Sequence, residues 1–167
     1  MELGLSNRDI SGASIYNKNT PRYILDAVIM WNFHENFELW AGQTKLPGNI
    51  ERVVSSANLQ LIDRSLLNSK FNIDRDFGFF LNYNSNFLNL KGALTSGEGR
   101  NSSKSSKGLN YTSRVEIQPF GKFSPGNDEC EGDLARESKP KLSLAATYNF
   151  NDDAMRTGGT LGNDLYS

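Results

Sequence analysis

Apolar and polar residues alternate through several separate stretches of this chain. The clearest is 139–150, Lys-Pro-Lys-Leu-Ser-Leu-Ala-Ala-Thr-Tyr-Asn-Phe. Leu142, Leu144, Ala146, Tyr148 and Phe150 share one parity, and Lys141, Ser143, Ala145, Thr147 and Asn149 share the other. A period of two puts successive side chains on opposite faces of a β-strand, so the stretch predicts a strand with one apolar and one polar face. Its length is about that of a tilted strand crossing a bilayer, roughly 9–11 residues. The apolar face ends in aromatic side chains, as the interface girdles of membrane barrels do.

The same pattern predicts six more strands. The first covers 2–9, with Leu3 and Leu5 apolar. The second, 22–33, puts Tyr23, Leu25, Ala27, Ile29, Trp31 and Phe33 on one face, opposite a mixed face of Ile24, Asp26, Val28, Met30 and Asn32. The third, 36–45, does not resolve into two faces. The fourth, 75–84, aligns Phe77, Phe79, Leu81 and Tyr83. The fifth, 87–96, aligns Leu88, Leu90, Gly92 and Leu94. The sixth, 108–119, aligns Leu109, Tyr111, Val115 and Ile117. Residues 34–36 and 84–86 read as tight hairpin turns, the latter an Asn-Ser-Asn that tolerates left-handed backbone.

The connections alternate in length. Links 46–74 and 97–107 fall at the end opposite the two tight turns, the arrangement of outer-membrane barrels. Link 120–138 departs from it, being long at the short-turn end. Within 46–74, Leu59, Ile62 and Leu66 recur at helical spacing around Asp63 and Arg64, which predicts a helix of about two turns. Such a loop folds inward and narrows a pore, or it caps the barrel mouth as a surface helix. Residues 102–106, Ser-Ser-Lys-Ser-Ser, read as a flexible loop tip.

Composition narrows the class. The 167 residues are 37% hydrophobic with a net charge of -1, and the mean hydropathy is -0.53. One domain is the expectation. No apolar run is long enough for a membrane helix, but a barrel strand turns only every second residue to lipid. The balanced charge gives no basic surface for nucleic acid. Cys130, the single cysteine, can form no internal disulfide. The N-terminus, Met-Glu-Leu-Gly-Leu-Ser-Asn-Arg, is not a signal peptide, so a secreted barrel would carry its signal upstream, and the chain reads as a fragment.

Catalytic chemistry is not indicated. His34, the only histidine, falls in a predicted turn and reads as a solvated turn residue. Gly97-Glu98-Gly99 lacks the rest of a dinucleotide loop, and Asp128, Glu129, Glu131, Asp152 and Asp153 do not follow calcium-loop spacing. No enzyme, cofactor or metal is expected. The polar strand faces carry more information. Asp26, Asp76, Asn82, Asn89, Lys91, Asn110, Thr112, Arg114, Glu116, Lys141 and Thr147 share one side of the predicted sheet. Facing a water-filled lumen they need no partner, and their charges would set ion selectivity. In a soluble sheet the same residues would only keep one face wet.

Several segments resemble the phosphate-selective porin O and P family, in particular its Bacteroidetes-type members. They are Leu39-Trp40-Ala41-Gly42-Gln43-Thr44-Lys45-Leu46-Pro47 with Glu51 after it, Gly97-Glu98-Gly99-Arg100-Asn101, Gly108-Leu109-Asn110-Tyr111 running into Arg114-Val115-Glu116 and Pro119-Phe120-Gly121, and Glu131-Gly132-Asp133-Leu134-Ala135-Arg136. Gly-Gln-x-Lys-x-Pro is the most specific of them. The resemblance implies a sixteen-stranded antiparallel transmembrane β-barrel, usually a homotrimer, that conducts small solutes across the outer membrane. This all-β chain would supply about seven of those strands, as one partial barrel domain over 1–167, with 46–74 as a long extracellular and candidate constriction loop.

The expected function is passive diffusion of small hydrophilic solutes or anions such as phosphate, with outer-membrane lipid around the barrel. Lys91, Arg114 and Lys141 are the lumen-wall candidates, and Lys45, Arg52, Arg64 and Lys70 the constriction-loop candidates. Glu51, Asp63 and Asp74 lie among the latter, so weak or no phosphate preference is expected. The competing class is a non-conducting antiparallel sheet that binds a partner.

Overall fold

The computed structural model describes residues 2–3, 24–62, 64–66, 68, 74–99 and 107–154. They form an antiparallel sheet whose strands lie side by side in chain order. These are β1 (Glu2–Leu3), β2 (Ile24–His34), β3 (Phe37–Lys45), β4 (Arg75–Asn84), β5 (Leu88–Thr95), β6 (Asn110–Ile117) and β7 (Leu144–Asn151). The sheet is open, with β1 and β7 at its two ends. Of the first expected strand, Glu2 and Leu3 pair with Asp26 and Ile24, and the remainder lies outside the described residues.

The sixth strand ends two residues earlier than expected, at Ile117, and that fixes where β7 begins. Ile117 is paired with Leu144, so residues 139–143 have no strand to pair with. Lys141 therefore stands in the link, its Nζ donating to the Phe120 carbonyl at 3.2 Å. The tight turns form as expected. Asn36 N–H donates to His34 Nδ1 at 3.4 Å in the first, and Ser85 N–H to the Leu88 carbonyl at 2.9 Å in the second.

The burial of the two faces is the reverse of a soluble sheet. Ile29 is 78% exposed, Phe77 65% and Tyr148 65%, and Trp31, Phe79, Leu81, Leu94, Tyr111, Val115 and Phe150 are exposed with them. On the other face Asp76 and Asn110 are 0% exposed and Arg114 4%. A sheet folding in water puts its apolar side inward, because each Å² of apolar surface left in water costs about 25 cal/mol. This sheet leaves its apolar side uncovered and satisfies its polar side internally. Asn110 Nδ2 donates to Thr95 Oγ1 and to Thr112 Oγ1, each at 3.1 Å, and Asn149 Nδ2 donates to Asn110 Oδ1 at 2.9 Å.

Aromatic rings gather at the two ends of the apolar face. Near the tight turns, Phe33 and Phe37 lie 5.8 Å apart between centroids, and Phe37 and Tyr83 4.7 Å. Toward the long links, Tyr111 and Phe150 lie 6.4 Å apart, with Phe79 in the same row of the sheet beyond Leu94. Phe77 and Tyr83, six residues apart on β4, are separated by roughly 20 Å of strand, close to the ~25 Å apolar band of a membrane barrel.

The long link carries regular structure ahead of the predicted apolar stripe, and Leu66 and Asn68 are helical at its end. Helix α1 spans Ile50–Val53, and a 3-10 turn spans Ser56–Asn58. Caps decide the positions. The Asn49 side chain accepts from Arg52 N–H, and the Ser55 side chain accepts from Ala57 N–H, which supplies the partners that a helix start requires. Residues 59–62 are not helical, and Ile62 and Leu66 are exposed, so the predicted apolar stripe does not form a packing face. Asp63 lies outside the described residues.

Candidate pore wall and constriction

The segment from Gly42 to Gly48 turns the chain from the wall onto the polar face. Gly42 has φ +135°, and a Cβ there would meet the Ala27 carbonyl oxygen on β2. Only glycine accepts that conformation readily and allows so close an approach. Gln43 comes next and is buried. Its Nε2 donates to the Ile24 and Leu25 carbonyls, each at 3.1 Å, across to β2. Gly48 N–H then donates to the Leu46 carbonyl at 2.7 Å, closing a three-residue γ-turn about Pro47. Leu46 packs on Phe80 and Ala93, with Trp40 against the same cluster. All three wall residues share the polar face, and Trp40 belongs there too, its Nε1 donating to Glu38 Oε2 at 3.1 Å.

Gly48 is then held over β6 and β7. Arg114 Nη1 donates to its carbonyl at 2.8 Å, and Thr147 Oγ1 donates to it at 3.2 Å. Arg114 lies on the polar face as the alternation predicts, but its guanidinium is not free in a lumen. Its Nη2 also donates to Glu116 Oε2 at 2.9 Å. Glu116 in turn accepts from Gln118 Nε2 at 3.1 Å and Ser143 Oγ at 2.8 Å. Arg114 therefore anchors the link 46–74 to the polar face of the sheet.

Three of the four expected constriction cations, Lys45, Arg52 and Arg64, come together where β3 and β4 meet the link. Lys45 lies within Coulombic range of Arg75, Arg52, Arg64 and Asp26. Most of these charges are already engaged. Arg52 pairs with Asp74. Arg64 donates from Nε to the Glu51 carbonyl at 2.7 Å and from Nη2 to the Val54 carbonyl at 2.8 Å, closing the C-terminal end of α1. Arg75, which the sequence did not single out, donates from Nε and Nη2 to the two Asp26 carboxylate oxygens, each at 3.1 Å. The two-pronged geometry is the strong form of such a pair. The run Asp74-Arg75-Asp76 at a strand start was the available signal for it.

Two candidates keep uncommitted ammonium groups. Lys45 and Lys91 have no hydrogen bond or ion pair among the described residues, and both are partly buried. Lys91 lies between Asn82 and Arg114 in the sheet register. Lys141 stands at the short-turn end, outside β7, and Lys70 lies outside the described residues. The loop 96–109 is pinned at its base by Asp76, which accepts from Ser96 Oγ at 2.6 Å and from the Phe77 amide at 2.9 Å.

The link after β6 has its own hydrogen-bonded order. Glu137 Oε1 accepts from Ser124 N–H at 2.6 Å and Asn127 Nδ2 at 3.4 Å. The Ser124 amide holds the Glu137 carboxyl below the ordinary carboxylate range. Among the described residues, no cluster of His, Cys, Asp and Glu is placed to hold a metal ion. The arrangement is a polar sheet face crossed by a tethered link.

No curated protein and no solved structure matches the chain. The family model for phosphate-selective porin O and P matches residues 2–158. With that match, the outward apolar face and the inward polar one, the chain belongs to the phosphate-selective porin O and P family.

Proposed function

We propose that this chain forms part of the wall and constriction of an outer-membrane porin that passes small hydrophilic solutes, anions among them, by passive diffusion. The observation that carries the reading is the inversion of the sheet, with its apolar side uncovered and its polar side lined and crossed by the link 46–74. An uncovered apolar face is stable in hydrocarbon, and an open edge is not. The barrel is therefore closed by further strands, from the same polypeptide or from other copies, and the closed barrel assembles as a homotrimer as the family resemblance implies. The link 46–74 enters from the extracellular end.

Lys45 and Lys91 supply the anion preference, because the guanidinium groups of Arg52, Arg64, Arg75 and Arg114 are held by protein partners. That favours anions in general over phosphate in particular. The test is extraction followed by planar-bilayer recording. The protein should leave membranes only with detergent and give ohmic channels with a modest anion preference. Replacing Lys45 and Lys91 together by Glu should move the reversal potential toward cations. A protein that is soluble without detergent and gives no channels would point instead to the non-conducting sheet.

A further inference from the structure

The links on opposite ends of this sheet touch each other. Strand direction alternates from β3 to β6, so the link 46–74 leaves at the end opposite the tight turns and the link 118–143 leaves at the same end as the turns. Yet Asn58 Nδ2 donates to the Glu129 carbonyl at 3.2 Å, and Glu131 N–H donates to the Asn58 carbonyl at 3.3 Å. Gln60 N–H donates to Glu131 Oε2 at 2.7 Å. A Cβ added at Gly132 would lie 2.8 Å from Gln60 Nε2, so the two segments are in close contact there. The first link is thus held twice, by Arg114 and Thr147 at Gly48 and by the second link at Asn58 and Gln60.

We propose that the link 118–143 is the second half of the constriction, reaching in from the short-turn end, and that Glu131 is a positioning residue fixing the inward loop. The proposal rests on the porin reading and adds to it a device that sets the width of the passage. Its argument is geometric. A loop tethered only at Gly48 would be free to swing from that point. A second tether about ten residues on, made by both backbone and carboxylate, defines its course. The carboxylate bond to Gln60 N–H is charge-assisted and hence the stronger part. The long link at the short-turn end, which departs from the usual pattern of barrel connections, thereby acquires a role.

The test uses the channel-forming protein in planar bilayers, with three substitutions. Glu131→Ala removes the carboxylate bond, and Glu131→Gln removes the charge but keeps an acceptor oxygen for Gln60 N–H. Asn58→Cys faces the peptide flanked by Glu129 and Glu131, beside the native Cys130. The proposal expects a higher single-channel conductance for Glu131→Ala and near wild-type conductance for Glu131→Gln. It also expects oxidation of Asn58→Cys to join residues 58 and 130, seen in the peptide masses, and to leave one fixed conductance level. Equal effects of the Ala and Gln variants would mean that charge alone acts at Glu131, and would overturn the positioning role. Failure of residues 58 and 130 to cross-link, with Glu131→Ala unchanged in conductance, would overturn the contact itself. A wild-type protein that never conducts would instead bring down the porin reading.

Discussion

At the scale of single residues, the segment that ends β3 combines several constraints in few positions. Gly42→Ala puts a methyl group against the Ala27 carbonyl at φ +135°. The expected cost is about 1–3 kcal/mol, as for other residues held in sparsely populated backbone regions, and urea unfolding in detergent would read it. Arg114→Ala leaves Glu116 without its guanidinium and Gly48 without its closest donor. Removing one partner of a buried pair costs about 3–5 kcal/mol, and hydrogen exchange around residues 46–50 should quicken. Arg114→Lys should recover only part, since an ammonium cannot reproduce the fork. The side of the sheet that Arg114 occupies was legible from the alternation. Its bond to Gly48 was not, because period two assigns a face and says nothing about which distant carbonyl returns to it. Arg75 was missed for the same reason, its partner Asp26 lying 49 positions away.

At the scale of elements, the two faces of the sheet make opposite predictions for one substitution. Leu81→Arg, near the middle of the apolar face, should destabilise the protein in lipid by about 2–4 kcal/mol. Ala145→Arg, exposed on the polar side of β7, should change stability by less than about 0.5 kcal/mol. A sheet with its apolar side in water would show no such penalty at Leu81, and comparison of unfolding midpoints in vesicles decides the matter. The strands were readable because their alternation is local, and β4 falls at its expected bounds. The start of β7 was not, since it depends on where β6 stops. Helix α1 in the long link was missed because apolar spacing was weighed above the capping side chains Asn49 and Ser55. The link 118–143 adds a pH effect. The lowered carboxyl of Glu137 stabilises that link above the ordinary carboxylate range. That contribution is lost as pH falls through its lowered value. Proteolysis of the link should therefore quicken in acid, and Glu137→Gln should be cleaved readily at neutral pH as well.

At the scale of the whole molecule, a sheet with its polar side in and its apolar side out fits the porin family to which the chain belongs. That much followed from strand length, aromatic ends and alternation. What did not follow was the path of the two links, which joins residues far apart in sequence and from opposite ends of the sheet. The anchoring of Gly48 has a consequence for assembly. Its carbonyl takes donors from 66 and 99 positions further along the chain. Hairpins between neighbouring strands close short loops and form early, whereas contacts at such separation are slow and come late. The link must therefore wait until β6 and β7 have been laid down; in the porin proposed above the passage would be built wide and narrowed afterwards, and a barrel caught during its insertion should leak more than the finished one.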